Sequence, residues 1–331
     1  MKFYKHLKDN QVLCELCPNY CVLSKGQISS CNARQNINGE MISLTYEKPC
    51  AINIDPVEKK PLYHYLPGSK TLSIGTAGCN LHCKNCQNYH ISQENPDNIK
   101  STHNTAEQIV ELALKNNCKS ISYTYNEPTV FYEYMYEIAK LAKASGLKNI
   151  MVSNGYINSD PLMEIAPYID AANIDLKCFK NVTYKSLFKG ELKYVLETIS
   201  KLFKYNVWIE ITNLVIPEKT DNLKMIEEMC DWIVKNVTGD TPLHFSRFFP
   251  LYNMQDLYPT PVNTILKACK IAKNKGIKYV YTGNVKEQIK HTVCPNCNNI
   301  LIRRNGFDID KINIKNSECE NCNHQISGVW E

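Results

Sequence analysis

Short apolar strand segments alternate with amphipathic helical segments between about residues 70 and 290. The strand segments are β-branched and aromatic, and several are apolar at both odd and even positions, as strands buried on both faces are. They are TLSIGT (71–76), SISYTY (120–125), NIMVSN (149–154), AANIDLK (171–177), NVWIEITNLVI (206–216), LHFSRF (243–248) and KYVYTG (278–283). Repeated βα units form right-handed crossovers, so the sequence predicts an α/β fold with a parallel sheet, either open or curled into a barrel.

Capping signals support the helices between these strands. Thr105 is an expected N-cap, with Gln108 placed to complete a capping box before an apolar run. A second helix is predicted to begin just after Pro128 and to end at Gly146, a C′ glycine. Two further amphipathic runs are TDNLKMIEEMCDWIVKNV and PVNTILKACKIAKNKG.

The chain contains 16 cysteines. A chain of this length without an export signal in its first residues uses cysteines for metal binding more often than for disulfides. Eleven of them fall into three groups: Cys14, Cys17, Cys21 and Cys31; Cys79, Cys83 and Cys86; and Cys294, Cys297, Cys319 and Cys322. The two ends lack the strand–helix alternation, so we expect a cysteine-rich module at 1–50, a barrel at 51–290 and a ribbon-like module at 291–331.

The central group has the spacing C-x₃-C-x₂-C and directly follows a buried strand. A tetrahedral structural zinc site needs four ligands, and iron–sulfur cubes are held by thiolates. Three thiolates at a cube leave one iron open for a substrate or cofactor. The alternatives are a zinc site completed by a distant residue and thiols without a redox role.

The wider sequence resembles the radical S-adenosylmethionine (SAM) enzyme of the AmmeMemoRadiSam system, a family related to the pyruvate formate-lyase activating enzymes. The resemblance covers nearly the whole chain. The matching segments are CELCPNYC, IDPVEKKPLYHYLPGSKTLSIGTAGCNLHCKNCQNYHISQ, YTYNEPTVFYEY, NIDLKCF and HFSRFFPLY.

The resemblance implies a partial (β/α)₆ TIM-like radical SAM barrel, with a [4Fe–4S] cluster on Cys79, Cys83 and Cys86 at the carboxyl ends of the strands. It also implies that SAM binds the open iron and is cleaved by one electron to methionine and a 5′-deoxyadenosyl radical. This reaction requires an electron donor such as flavodoxin or ferredoxin.

The resemblance also suggests which residues bind SAM. Glu127 matches the carboxylate of a Gly-Gly-Glu-like motif, with Tyr125 and Asn126 in place of the glycines; its other role would be to stabilise a helix N-terminus. Ser153 and Asn154 match polar positions near the methionine part of SAM. The preceding Val152 replaces an acidic residue of the activating enzymes, so their monovalent-cation site is not expected here.

Two later strands end in polar residues. Asp175 and Lys177 share parity and should point to one face, towards a zwitterionic ligand or as a structural ion pair. His244 shares parity with Ser246 and is the preferred active-site residue of its strand, a buried structural histidine being the alternative. Arg247 should face the other way.

Many relatives carry an aromatic residue just before the third cluster cysteine, where this chain has Asn85. The environment of the SAM adenine is therefore expected to differ. Tyr89 and His90 are the substitutes that we expect.

The terminal cysteines form two further metal sites. Cys294, Cys297, Cys319 and Cys322 form two C-x₂-C knuckles, which predict structural Zn²⁺, with a single iron as the rival, in an interaction or lid module. Cys14, Cys17, Cys21 and Cys31 bind zinc or an iron–sulfur cluster, and the knuckle-like CELCPNYC favours zinc.

The predicted function is a radical SAM enzyme that abstracts hydrogen from an unidentified protein, peptide or small molecule. The alternatives are an activase for a glycyl-radical enzyme and a non-catalytic zinc-binding adaptor. Expected partners are the two other proteins of the AmmeMemoRadiSam system. The dispersed basic residues and short apolar runs predict neither nucleic-acid nor membrane binding, and a cytoplasmic location is expected.

Overall fold

The fold is built on one eight-stranded sheet, as seen in a computed structural model that describes residues 1–286 and 290–331. Seven strands are parallel and lie in chain order, and an antiparallel strand pairs with the first of them at the edge. In chain order after five N-terminal strands, they are β6 (Ala51–Pro56), β7 (Lys70–Gly75), β8 (Ser120–Tyr123), β9 (Lys148–Ser153), β10 (Ala171–Asp175), β11 (Trp208–Val215), β12 (Leu243–Arg247) and β13 (Val280–Gly283).

Helices connect the parallel strands and cover the outer face of the sheet. They are α1 (Tyr89–Ser92), α2 (Ala106–Lys115), α3 (Tyr132–Ala144), α4 (Ser159–Ile165), α5 (Asn181–Thr183), α6 (Leu192–Lys204), α7 (Leu223–Asn236) and α8 (Val262–Asn274). Short 3₁₀ turns lie at Lys8–Asn10, Val57–Lys59, Pro96–Asn98, Pro128–Phe131 and Ala166–Tyr168, and a π-helical turn at Tyr184–Phe188. Among the described residues, no helix combines the length and apolar character that crossing a bilayer requires.

The helix signals read from the sequence are confirmed. Thr105 caps α2 in a complete capping box with Gln108. Pro128 opens a 3₁₀ turn that leads into α3, and Gly146 follows the C-terminus of α3 with a φ of +78°. The local hydrogen-bonding pattern alone was enough to locate these ends.

The predicted α/β partial barrel is also confirmed. Six βα crossovers join β7 to β13, and within the described residues β13 and β6 are the open edges of the sheet, so the barrel does not close. The antiparallel strand β6 was not predicted from the sequence, although the expected domain boundary at residue 51 falls where this strand begins. The residues 51–290 therefore coincide with the sheet and its helices, and the division into three domains stays an interpretation.

The N-terminal module is a set of small antiparallel sheets beside the carboxyl end of the barrel. Its strands are β1 (Tyr4–His6), β2 (Val12–Cys14), β3 (Val22–Leu23), β4 (Arg34–Ile37) and β5 (Glu40–Ser43). The buried Arg34 forms a two-pronged ion pair with Glu133 of α3, at 2.8 and 2.9 Å. Asn158, after β9, donates hydrogen bonds from its Nδ2 to the Glu15 carbonyl and from its backbone N–H to the Leu16 carbonyl.

The C-terminal module covers the opposite, amino end of the barrel. Its strands are β14 (Thr292–Val293), β15 (Ile300–Asn305), β16 (Asp308–Ile312), β17 (Ile314–Lys315) and β18 (Glu318–Cys319). Arg304 Nη2 donates to the Tyr63 carbonyl over 2.6 Å, and a ring nitrogen of His64 bonds the Ser327 carbonyl over 2.7 Å. The prediction that this module is a lid over the active site is wrong, because the strand ends that carry the cysteine trio lie at the other end.

Candidate active site

The three clustered cysteines line an open cavity at the carboxyl ends of the parallel strands. Their loop follows β7, where Gly75 abuts the next strand end so closely that a Cβ would lie 2.6 Å from the Thr124 carbonyl. The remaining lining comes from the loops after β7 to β9, from β10 to β12 and from the segments that follow β10 and β11: Asn85, Gln87, Asn88, Ser92, Tyr125, Asn126, Asn154, Asp175, Lys177, Phe188, Thr212, Leu214, Ile216 and Ser246. Active sites of barrels lie at this end.

Hydrogen-bond donors face the sulfurs of the trio. Leu81 N and Asn154 Nδ2 lie 3.5 and 3.8 Å from Cys79 Sγ, and Ser92 Oγ lies 3.1 Å from Cys86 Sγ. Burial raises the pKa of the Cys79 thiol, and burial raises that of Cys83 to about 11. Metal binding must therefore displace protons, which makes the affinity for metal pH-dependent.

The trio does not have the geometry of a site for one ion. Four thiolates around one zinc ion at 2.3 Å stand about 3.8 Å apart. Within residues 1–286 and 290–331, only the C-terminal cysteines bring three or more ligand atoms within 4.8 Å of one another. The sulfurs of the trio are instead spread around the cavity, as expected for thiolates that each bind a different metal atom.

Asp175 and Lys177 lie together in the cavity wall, as their shared parity predicts. Lys177 Nζ and Asp175 Oδ2 are 2.8 Å apart. Burial acts to lower the pKa of Lys177, but the negative charges of Asp175 and Cys83 outweigh it and raise the pKa above its ordinary value. The ammonium is thus held charged next to the trio, where it can bind an anionic group or neutralise thiolate charge.

Two amide oxygens in the cavity wall lack a partner. Asn126 Nδ2 donates to the Gly78 carbonyl, which leaves Asn126 Oδ1 buried without a hydrogen bond among the described residues, and Asn85 Oδ1 is in the same state. A buried polar atom without a partner costs about 1–3 kcal/mol. Both residues line the cavity, so a ligand that donates N–H or O–H groups fits this wall.

Tyr125 adopts a backbone conformation that glycine adopts more often than other residues. Its φ is +73°, in the left-handed region that few non-glycine residues adopt. The Tyr125 hydroxyl bonds Asn53 and Asp55 over 2.8 and 3.1 Å, and its carbonyl accepts from Asn88 Nδ2. These bonds keep the backbone in this conformation, although the glycines expected from the resemblance are absent.

Glu127 lies beneath the cavity wall and does not line it. Its carboxylate is fully buried and accepts hydrogen bonds from the Thr129 backbone and hydroxyl, the Ser153 hydroxyl and the Asn154 backbone, at 2.7 to 3.0 Å. The structure therefore supports the N-capping role, and direct contact of Glu127 or Ser153 with SAM stays a prediction. Asn154 does line the cavity.

His244 lies deeper in the barrel, below the cavity. Its Nε2 is 2.6 Å from Glu210 Oε2, and its ring packs against Tyr63 and Tyr281. Burial lowers the pKa of the neighbouring His64 to about 4. The arrangement matches the buried structural histidine that was the alternative, and a catalytic role of His244 is not supported by its position.

Several lining residues were missed by the sequence analysis. Thr212 and Leu214 alternate along β11 and Ile216 directly follows it, and their parity was a signal that could have placed them on the inner face. Ser246 lines the cavity, whereas Arg247 Nε turns away to the Thr260 carbonyl at 2.6 Å. Tyr89 stacks on Tyr252 with ring centres 4.6 Å apart; neither Tyr89 nor His90 lines the cavity, so an adenine contact by either stays a prediction.

The C-terminal cysteines form a compact site for one metal ion. Cys294 Sγ lies 3.7 Å from Cys322 Sγ, and Cys297 Sγ lies 3.7 Å from Cys319 Sγ. These separations match the ~3.8 Å expected for four thiolates around one ion. Burial raises the pKa of Cys294, whereas the backbone N–H of Asn299 lowers that of Cys297 to about 6. Zinc is the metal that we expect there.

The N-terminal cysteines line a separate cavity beside the trio. All four of Cys14, Cys17, Cys21 and Cys31 contribute to its wall. Arg34 and Asn80 complete one side. The grouping of these four cysteines in the sequence agrees with the structure, in which they line one cavity. The separations of their sulfurs indicate which kind of metal site they form.

Comparisons with known proteins agree with this arrangement. The family model described as "Radical SAM superfamily" matches residues 73–233, which include the trio and four of the parallel strands that follow it. The curated "Uncharacterized protein MJ0808" of Methanocaldococcus jannaschii is 42% identical over 330 residues, which cover 99% of this chain and 98% of that protein. The "7-carboxy-7-deazaguanine synthase" of the same organism is 27% identical over 46% of this chain and 66% of its own length.

Solved structures share the fold. Streptococcus suis SuiB, solved with S-adenosylmethionine bound, superposes with a TM-score of 0.51 at 13% identity. The match covers 70% of this chain and 53% of SuiB, so the chain spans about half of that protein. Identity this low shows that the barrel architecture is shared and no more.

Proposed function

We propose that the chain, whose residues 73–233 match the radical SAM superfamily model, is an enzyme that cleaves SAM at a [4Fe–4S] cluster held by Cys79, Cys83 and Cys86. A radical SAM domain implies both SAM and an iron–sulfur cluster. The observation that carries the proposal is the trio itself: three sulfurs spread around a cavity whose wall contains unpartnered amide oxygens.

The residues of the cavity have separate tasks in this proposal. The cluster and SAM together supply reductive cleavage of a carbon–sulfur bond, which gives methionine and a 5′-deoxyadenosyl radical. Asn126 and Asn85 offer acceptor oxygens to donors of the ligand. Lys177 provides a positive charge near the trio, and the apolar Leu214, Ile216 and Phe188 limit access of water to it.

The substrate is proposed only as a class. The radical abstracts hydrogen from a protein, a peptide or a small molecule, and glycyl-radical activation is one form of this reaction. From the resemblance, we further propose that the chain acts with the two other proteins of the AmmeMemoRadiSam system. A flavodoxin or ferredoxin is the proposed electron donor.

Anaerobic reconstitution tests the function. The protein is loaded with iron and sulfide, and dithionite and SAM are added. We expect 5′-deoxyadenosine and methionine in equal amounts, measured by chromatography and mass spectrometry. A fully loaded protein that forms neither product would contradict the proposal, and zinc in place of iron on the trio would favour the zinc-binding adaptor.

The unpartnered oxygen of Asn126 leads to a prediction for ligand binding. Asn126→Ala removes one acceptor from the cavity wall, so SAM should bind roughly tenfold more weakly, the effect of about 1.4 kcal/mol. Equilibrium dialysis of SAM on loaded, unreduced protein measures this change.

Asn213 provides a matched control for that variant. Its Nδ2 also donates to a backbone carbonyl, that of Leu176 over 2.7 Å, and its Oδ1 is also buried without a partner among the described residues. Asn213 does not line the cavity. Asn213→Ala should therefore leave SAM affinity unchanged, and equal effects of the two variants would rule out a direct contact by Asn126.

A further inference from the structure

We infer that Cys14, Cys17, Cys21 and Cys31 bind an iron–sulfur cluster, and that this cluster is a redox neighbour of the site on the trio. The sequence alone favoured zinc for these four cysteines. The side-chain geometry instead favours a cluster of several metal atoms.

The three cysteine groups fall into two geometric classes. The C-terminal group brings its sulfurs within 4.8 Å of one another, as one tetrahedral ion requires. Over the described parts of the chain, no three sulfurs of the N-terminal group come that close. All four N-terminal sulfurs line one cavity, and like the sulfurs of the trio they stand too far apart for one tetrahedral ion.

Polar groups around the N-terminal sulfurs fit a multi-metal cluster. Ser29 Oγ lies 3.1 Å from Cys31 Sγ, Ser30 Oγ lies 3.4 Å from Cys21 Sγ, and Arg34 Nη1 lies 3.9 Å from Cys14 Sγ. Hydrogen bonds to the sulfurs are one means by which proteins set the potential of iron–sulfur clusters. Two of the trio's sulfurs are surrounded in the same way.

Arg34 gives an independent indication of a ligand. Its side chain is 1% exposed, yet Nε has no hydrogen-bond partner among the described residues. Arg34 lines the cysteine cavity. An unpartnered buried guanidinium nitrogen is costly, and the sulfides of a cluster in the cavity would accept a hydrogen bond from it.

Consecutive residues of one loop line the two cysteine cavities, Cys79 the main cavity and Asn80 the N-terminal cavity. Asn80 follows Cys79 and lines the N-terminal cavity, while its Oδ1 accepts from Asn154 Nδ2 of the main cavity over 2.9 Å. Gly78, just before Cys79, has a φ of +92°, and a Cβ there would lie 2.3 Å from the Cys31 carbonyl. The loop of the trio is thus packed directly onto the loop of the N-terminal group.

This proximity suggests a role in electron transfer. A cluster in the N-terminal cavity can take one electron from a low-potential donor of the flavodoxin or ferredoxin type, which is oxidised by one electron, and pass it to the neighbouring cluster. The relay rests on the proposed function, whereas the binding of the cluster does not.

Metal analysis of variants tests the inference without relying on activity. The triple variant Cys79→Ala/Cys83→Ala/Cys86→Ala, reconstituted anaerobically, should keep about four irons and four sulfides per chain, and the wild type about eight of each. The double variant Cys17→Ala/Cys31→Ala should lose about four irons. Circular dichroism checks that each variant folds. If a variant fails to fold, the iron content of the wild type decides: about eight irons per chain support the inference, and about four contradict it.

Other outcomes would overturn the inference. An iron-free triple variant that holds two zinc ions per chain would show that the N-terminal site is mononuclear. Proximity is tested by electron paramagnetic resonance of the dithionite-reduced wild type, which should show spin coupling that both variants lack; a plain sum of two independent spectra would refute it. If wild-type protein that contains about eight irons did not cleave SAM, that result would count against the proposed function alone.

Discussion

Replacing Cys83 by alanine is expected to abolish SAM cleavage while the protein remains folded. Cys83 is one of only three thiolates that line the main cavity among the described residues, so a cluster on the trio would keep two protein ligands. A cluster with two protein ligands is not held stably, so the variant lacks the metal centre that reductive cleavage of SAM requires. Formation of 5′-deoxyadenosine from dithionite and SAM should fall to the level seen without protein, while the circular dichroism spectrum stays unchanged.

Cys118→Ala is the matched control for that experiment. Cys118 is also buried, at 5% exposure, but it lies between α2 and β8 at the amino end of the barrel and belongs to none of the three groups. Its variant should bind the same amount of iron and form the same products as the wild type. If Cys83→Ala still cleaved SAM at the wild-type rate, the trio could not hold the reactive cluster.

The iron content of Cys83→Ala separates two causes of inactivity. Binding of the N-terminal cluster does not depend on the trio, so the variant should retain about four irons per chain. A loss of all iron would mean that the two sites assemble together. Asn80 of the N-terminal cavity directly follows Cys79 of the main cavity, which makes the two sites neighbours, but each group has its own ligands.

Local sequence signals predicted the fold well because local interactions produce the features concerned. The capping box of Thr105 and Gln108 and the C′ glycine Gly146 depend on bonds within one turn. The parity of Asp175 and Lys177 follows from strand geometry. The antiparallel strand β6 was missed because it pairs with β7 after a long connection, and nothing near residues 51–56 indicates its partner.

The candidate site was predictable in its ligands and less so in its surroundings. The trio was found from spacing alone. Parity placed His244 on the inner face of the barrel, but it could not show at which depth the side chain lies, and Glu210 ties it below the cavity. Glu127 is similar: the sequence shows a carboxylate at a strand end, whereas four donors from two neighbouring loops determine that it is buried.

The position of the C-terminal module also depended on contacts that are distant in sequence. Arg304 bonds the Tyr63 carbonyl, and Val329 pairs with Tyr65 and Leu66. Each contact joins residues more than 200 positions apart, and no local pattern encodes them. The cysteine knuckles were therefore predictable from spacing, whereas the end of the barrel that they cover was not.

Loss of metal from this module is expected to destabilise the barrel without removing activity. Cys319→Ala leaves three thiolates at a site built for four, so about one zinc ion per chain should be lost. Structural zinc contributes folding free energy directly. The module covers a buried cluster that includes Tyr63, Tyr279 and Tyr281, and its loosening would expose these rings to water.

For Cys319→Ala we expect a loss of about 4 kcal/mol in the free energy of unfolding. A loss of this size lowers the midpoint of thermal unfolding by roughly 6 °C in a chain of this length. Cys269→Ala, which removes a buried solitary thiol from α8, should lose no metal. Metal analysis and anaerobic thermal denaturation measure both variants, and iron in place of zinc in the wild-type ribbon would correct the identity of the ion.

Activity at low temperature then distinguishes a structural module from a lid. Because the module lies at the amino end of the barrel and the trio at the carboxyl end, Cys319→Ala should cleave SAM at nearly the wild-type rate at temperatures where it is still folded. A lid would instead control access to the cavity, and its loss would change product formation at every temperature. A rate that falls in Cys319→Ala well below its unfolding midpoint would therefore show coupling between the two ends, and Glu210, which bonds both His64 N and His244, is the side chain through which it would pass.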